Sequence, residues 1–154
     1  MKKINFKLYK LSMSKFATGL TVVTINNNDT YIGKTVNSFA SLSLKPPLVL
    51  FSLDKKSSAI ENYKKSKNIG INILSKKQKN ISKFFSLKNS KCNNKNIFFK
   101  ENNIPMINDC VANLSCKKVK IIKQGDHFIF ICKVDRVLIN NSKKPLIYYN
   151  SKYF

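Results

Sequence analysis

Two long strand-like segments, Val111 to Ile122 and Phe128 to Ile139, are separated only by Lys123-Gln124-Gly125-Asp126, and this pair constrains the chain more than any other feature. Glycine accepts the positive φ that tight strand connections require, so a Gly-Asp pair between two such runs predicts a long antiparallel hairpin. That hairpin excludes an all-helical fold. Phe128 to Cys132 is apolar at every position. Successive strand side chains point to opposite faces, so one face can fill a core while the other must be covered by a second subunit or a ligand.

Other segments share this character. Thr21 to Ile25 is a β-branched run, Asn26 to Asp29 is turn-forming, and Tyr31 to Phe39 resumes as a strand, which predicts a second hairpin. Pro46 and Pro47 break what precedes them. Leu48 to Leu53 is a nearly unbroken apolar run, as expected of a central strand covered on both faces. Ile69 to Leu74 and Leu146 to Tyr149 read as further strands. Tyr9, Met13, Phe16 and Ala17 share one helical face, with Gly19 placed to act as a left-handed cap. Ser58-Ala59-Ile60-Glu61 and Ser75-Lys76-Lys77-Gln78 read as capping boxes, the second followed by Ile81, Phe84 and Phe85 on one face. Residues 86 to 103 are rich in Lys, Asn and Ser and read as a long solvated loop.

Many strands with three short helices at their connections predict a mainly β fold, a closed β-barrel in preference to a doubly wound parallel sheet. The four glycines, Gly19, Gly33, Gly70 and Gly125, form no G-x-G-x-x-G. A length of 154 residues predicts one domain spanning 1–154.

The net charge of +22 would attract any polyanion at low salt. Arg136 is the only arginine, however, and bidentate readout of bases or phosphates calls for several. The lysines are scattered among asparagines and isoleucines, as in codon drift toward A and T, so no specific nucleic-acid partner is expected. Cys92, Cys110, Cys116 and Cys132 form no C-x-x-C pair and His127 is the only histidine, so no metal site is expected. Reduced thiols and a cytoplasmic location follow. Lys2 and Lys3 mimic a signal n-region, but no run approaches the ~20 apolar residues of a membrane span, so no membrane association is expected.

The segment from Gly33 through Thr35-Val36-Asn37-Ser38-Phe39-Ala40-Ser41 to Pro46-Pro47-Leu48-Val49-Leu50 concentrates hydroxyl and amide groups between two apolar strands. It could be a Ser/Thr-rich turn satisfying its own backbone, or a lining for the polar edge of a heteroaromatic ring with both donors and acceptors. Ser57 and Ser58 stand at a predicted helix start, which favours an anion.

Together with Phe16-Ala17-Thr18-Gly19-Leu20-Thr21-Val22-Val23-Thr24, Leu53-Asp54-Lys55-Lys56-Ser57-Ser58, Ile71-Asn72-Ile73-Leu74, Ser82-Lys83-Phe84-Phe85, Gly125-Asp126-His127-Phe128-Ile129-Phe130 and Pro145-Leu146-Ile147-Tyr148-Tyr149, this segment resembles the flavin reductase domain family. These are the reductase components of two-component flavin-dependent monooxygenases. The resemblance implies a split barrel of the FMN-binding type, usually a homodimer. It also implies FMN or FAD as cofactor, NADH or NADPH as co-substrate, and reduced flavin handed to an oxygenase component.

By the same resemblance Thr35, Val36, Asn37, Ser38 and Ser41 line the flavin ring, and Ser52, Leu53 and Asp54 flank the ribityl chain. Ser57 and Ser58 contact the phosphate. If Ser58 is spent on a capping box, Ser57 and the backbone do more of that work. Lys83, Phe84 and Phe85 close over phosphate and ring, although core packing explains the two phenylalanines equally well. Lys83 replaces a common arginine, leaving a point charge in place of a bidentate grip. His127 falls on the nicotinamide side, as the one residue given a catalytic role, by orienting the carboxamide. Tyr149 and Tyr153 border the nicotinamide or a partner subunit. Lys45 stands where the family commonly carries an acid. The alternative from another class is a flavin-binding or electron-carrier protein without turnover, since one barrel can serve both.

Overall fold

The computed structural model describes residues 4–28, 30–88, 91–92 and 94–154. Lys2, Lys3 and the turn residue Asp29 lie outside the described residues, as do Asn89, Ser90 and Asn93 of the expected solvated loop.

Helix α1 (Phe6–Ser14) opens the fold, its Asn5 side chain accepting from the N–H groups of Lys7 and Leu8 at 3.0 and 3.3 Å. Gly19 is not its cap. The helix ends at Lys15, because Asn150 N donates to Ser14 O at 2.7 Å and the chain then extends as strand β1 (Thr18–Gly19). None of α1 is buried, so Phe6, Tyr9 and Met13 all face outward.

There follow β2 (Thr21–Asn27), β3 (Thr30–Val36), β4 (Ala40–Leu44), β5 (Pro47–Asp54), α2 (Ile60–Lys65), β6 (Asn68–Ile73), α3 (Lys79–Ser86), β7 (Lys91–Cys92), β8 (Phe98–Glu101), β9 (Ile104–Ile107), β10 (Ala112–Gln124), β11 (His127–Ile139), β12 (Ile147–Tyr149) and β13 (Lys152–Tyr153). Eight strands form one antiparallel sheet in the order β4-β5-β11-β10-β6-β2-β3-β7. The predicted long hairpin is β10–β11, turning at Gly125 with φ +54°.

The sheet curls around one interior. Val23, Ile25, Ile32, Val36, Val49, Phe51, Leu53, Ile69, Ile71, Leu114, Phe130 and Cys132 meet there, and α2 contributes Ile60 and Tyr63. Phe51 stacks on Phe130 at 5.1 Å, and Tyr63 donates its hydroxyl to Val23 O at 2.7 Å. On the outer face of β2, β3 and β6, a second cluster gathers Leu20, Val22, Tyr31, Leu74, Phe85, Phe98, Ile107 and Leu146. Asn72, fully buried, ties the layers together: its Oδ1 accepts from Ile107 N and Asn113 Nδ2, each at 2.8 Å, and its Nδ2 donates to Val22 O at 2.9 Å.

Three local expectations fail for long-range reasons. Leu48 to Leu53 lies beside the edge strand, not centrally, and buries only Val49, Phe51 and Leu53, because among the described residues no second layer covers its other face. The Ser58 capping box does not form. Helix α2 starts after Ala59 with no side-chain cap, and the Ser58 hydroxyl donates instead to the carbonyl of Lys88. At Ser75 the return half of the box forms, with Gln78 Oε1 accepting from Ser75 N at 2.9 Å, while Gln78 N donates to the Ser75 carbonyl at 2.8 Å. Within the expected loop 86–103, Phe98–Glu101 pairs with Ile104–Ile107 as a hairpin turning on Asn102 and Asn103, whose φ values are +49° and +64°. Buried Phe98, Ile104, Met106 and Ile107 anchor it under the sheet, which a solvated loop would not allow.

The four cysteines are buried and unbridged. Among the described residues no helix is long and apolar enough to cross a membrane, and no cluster of His, Cys, Asp and Glu could hold a metal ion.

Candidate active site

The end of β3 lies against β5, and a side chain joins them: Ser38 Oγ accepts from Ser52 N at 2.9 Å. The register of β11 on β5 sets His127 opposite Asp54. These two pairings open a cleft of about 370 Å³, lined by Lys34, Thr35, Val36, Asn37, Ser38, Ser52, Leu53, Asp54, Lys56, Ser57, Ser58, Lys88 and His127. That volume lies in the range of small-molecule sites.

Each wall has an identifiable tether. Thr35 Oγ1 donates to Ser82 O at 2.7 Å, holding α3 against β3. The Lys34 ammonium donates to Leu87 O at 2.7 Å and Lys88 O at 3.2 Å, fixing the chain beyond α3 as the third wall. Burial lowers the Lys34 pKa from the ordinary lysine value. Asp54 Oδ1 accepts from Lys56 N at 2.7 Å, and the Lys55 ammonium reaches the carbonyl of Gly125. His127 Nδ1 lies 2.7 Å from Asp126 Oδ1, and that hydrogen bond lowers the Asp126 pKa. The Ser57 hydroxyl is buried with no hydrogen-bond partner among the described residues. A buried polar atom left unsatisfied is costly unless something else pairs with it.

Of the residues singled out in the sequence, Thr35, Val36, Asn37, Ser38, Ser52, Leu53, Asp54, Ser57, Ser58 and His127 converge on this cleft. Ser41, Lys83, Phe84, Phe85, Tyr149 and Tyr153 do not line it. Ser41 is exposed on β4, and Lys83 is exposed on α3. Phe85 is fully buried, with half-exposed Phe84 edge-on to it at 4.9 Å. Tyr149 and Tyr153 belong to the separate sheet β1-β12-β13, where the Lys79 ammonium lies 5.4 Å from the Tyr153 ring. Lys34, Lys56 and Lys88 line the cleft as well, beyond the residues expected from the sequence. Lys34 carried a signal, as a charged residue inside an otherwise uncharged strand, next to Thr35.

A sequence model for the flavin reductase like domain matches residues 13–154. The chain belongs to the flavin reductase family. It is 36% identical over 145 residues to the reductase component of the flavin-dependent trigonelline monooxygenase of Acinetobacter baylyi, covering 93% of this chain but only 46% of that protein. With the FMN reductase (NADH) SmoA of Agrobacterium fabrum it shares 33% identity over 132 residues, covering 86% of this chain and 76% of that one. Among solved structures, the flavin reductase PheA2 superposes with a TM-score of 0.89 at 36% identity, covering 98% of this chain and 97% of its own. The styrene monooxygenase flavin reductase of Pseudomonas putida S12 gives 0.86 at 28% identity, with 95% of each chain covered. The mainly β, split-barrel class expected from the sequence is therefore the fold of this flavin reductase family member.

Proposed function

We propose that this chain is an NAD(P)H-dependent flavin reductase that binds FMN or FAD in the cleft between β3, β5 and His127 and supplies reduced flavin to a partner monooxygenase. The observation that carries the reading is the meeting of Asn37, Asp54, Ser57 and His127 in one groove with an unsatisfied buried hydroxyl at Ser57. The groove fits a phosphorylated ring: amides and hydroxyls from β3 and β5, a lysine from β3, from the turn after β5 and from the chain after α3, and Asp54 the only acid among the described lining residues. Relatives named as reductases favour turnover over a carrier role.

Bound flavin supplies the acceptor for the hydride of the reduced nicotinamide. The chain's own residues bind and orient. Ser38 is committed to Ser52, so exposed Asn37 and the backbone of 35–38 are left to meet the polar ring edge. In the neutral tautomer that donates Nδ1–H to Asp126, the imidazole of His127 presents Nε2 as an acceptor, complementary to the N–H of a carboxamide. Hydride transfer needs no proton from this histidine, and none is assigned to it.

Anaerobic incubation with NADH or NADPH and FMN or FAD should bleach the flavin; no bleaching with any of the four pairs would refute the reading. His127→Ala should raise the KM for the nicotinamide about tenfold, the equivalent of ~1.4 kcal/mol for one lost polar contact, with flavin affinity unchanged. An unchanged KM would remove His127 from the nicotinamide side.

A homodimer completes the proposal. Leu48, Leu50, Ile129 and Ile131 remain half-exposed on the outer face of β5 and β11, and Leu42 and Leu44 of β4 stand exposed beside them. A second copy laid on this face would cover it. Sedimentation should give twice the 17.7 kDa chain mass, and a single-chain mass at micromolar concentration would exclude it. The unbridged thiols support a reducing, cytoplasmic setting.

A further inference from the structure

The cleft is not evenly charged along its length. Lys88 O accepts both from the Lys34 ammonium, at 3.2 Å, and from the Ser58 hydroxyl, so these two donors meet at one oxygen although they come from different walls. This brings a lysine ammonium to the corner where the neighbouring Ser57 hydroxyl is buried and unpartnered. Two of the three ammonium hydrogens of Lys34 go to Leu87 O and Lys88 O, which leaves one for the cleft. Lys56 and Lys88 line the same groove, while Asp54 Oδ1 is already occupied by Lys56 N. Among the described residues no carboxylate pairs with Lys34, which is only 9% exposed.

We infer that Lys34 and Ser57 form a seat for a terminal phosphate monoester, which makes Lys34 a specificity-determining residue that selects flavin mononucleotide over flavin adenine dinucleotide. The inference rests on the flavin reading above. A monoester concentrates a charge of about −1.5 to −2 and three acceptor oxygens on one phosphorus near neutral pH, which matches an ammonium with a spare hydrogen and a hydroxyl lacking a partner. Each phosphorus of the dinucleotide carries one ester and one anhydride linkage, so it bears a single charge and two free oxygens. Riboflavin offers neither. Burial already penalises the Lys34 charge, and a dianion at its contact would stabilise it.

Fluorescence titration of the wild-type protein with FMN, FAD and riboflavin, without nicotinamide, tests this directly. FMN should bind about tenfold or more tighter than either of the others. In Lys34→Met the preference of FMN over riboflavin should collapse to within about threefold, even where loss of the tether to Leu87 weakens both ligands, and Ser57→Ala should shift the same ratio in the same direction. If Lys34 only caps the end of α3, Lys34→Met lowers Tm and leaves the FMN-to-riboflavin ratio intact, which overturns the inference. Equal or tighter binding of FAD by the wild type also overturns it while leaving the reductase reading standing. Failure of all three flavins to bind would instead remove the reading on which it rests.

Discussion

Replacing Asn72 with leucine is expected to remove about 3–5 kcal/mol of stability, a large share of the ~5–15 kcal/mol that holds a typical domain together. The leucine has a similar volume, so packing is not the issue. The side chain is fully buried and makes four polar contacts: Ile107 N and Asn113 Nδ2 at 2.8 Å, Val22 O at 2.9 Å and Thr24 Oγ1 at 3.1 Å. Asn113 keeps a second acceptor in Ile107 O at 3.0 Å, but the Ile107 N–H has nothing in its place. A stranded buried donor costs ~1–3 kcal/mol, and Val22 O and Thr24 Oγ1 lose a donor in the same substitution. The urea midpoint should fall sharply with an unchanged slope, and the amide of Ile107 should lose its protection against hydrogen exchange. A loss below ~1 kcal/mol would mean that apolar packing of β9, not this network, holds the hairpin under the sheet.

Gly33→Ala should destabilise the fold by about 1–3 kcal/mol and weaken flavin binding in the same variant. An added Cβ would lie 2.5 Å from Phe85 Cδ1 and 2.6 Å from Cε1. That ring cannot swing away, since it is fully buried and packed edge-on to both Phe84 and Phe98. The strain passes to α3, and α3 is tied to the cleft through Thr35–Ser82 and Lys34–Leu87. Gly19→Ala is the control, because no atom lies within 4 Å of its added Cβ. Its Tm and flavin affinity should match the wild type; loss of stability without loss of flavin affinity in Gly33→Ala would uncouple α3 from the site.

What was legible in the sequence was whatever local periodicity determines. The β10–β11 hairpin, the β2–β3 hairpin and the strand after Pro47 were readable because alternation and turn residues act over a few positions. The ten expected residues that share the cleft were reached through motif resemblance, and their convergence depends on β3 meeting β5, which no local pattern encodes. Ser58 shows the limit. Its spacing to Glu61 satisfies the capping rule, yet a carbonyl thirty residues along the chain outcompetes the helix for its hydroxyl. The β8–β9 hairpin was hidden by the lysines and asparagines around it, although Phe98-Phe99 and Ile104-Pro105-Met106-Ile107 were apolar clues in plain view. Lys34 is hard to single out in a sequence so rich in lysine; only its burial separates it from the others that line the groove.

The buried thiols bear on the aerobic life of such a catalyst. Reduced flavin that escapes into air generates hydrogen peroxide, and peroxide attacks sulfur as the thiolate. Burial pushes Cys110 and Cys132 up to about 12 and raises Cys116 as well, so these sulfurs stay protonated and shielded in a medium their own product makes corrosive. Oxidation during uncoupled turnover should therefore begin elsewhere, at outward-facing Met13 of the first helix.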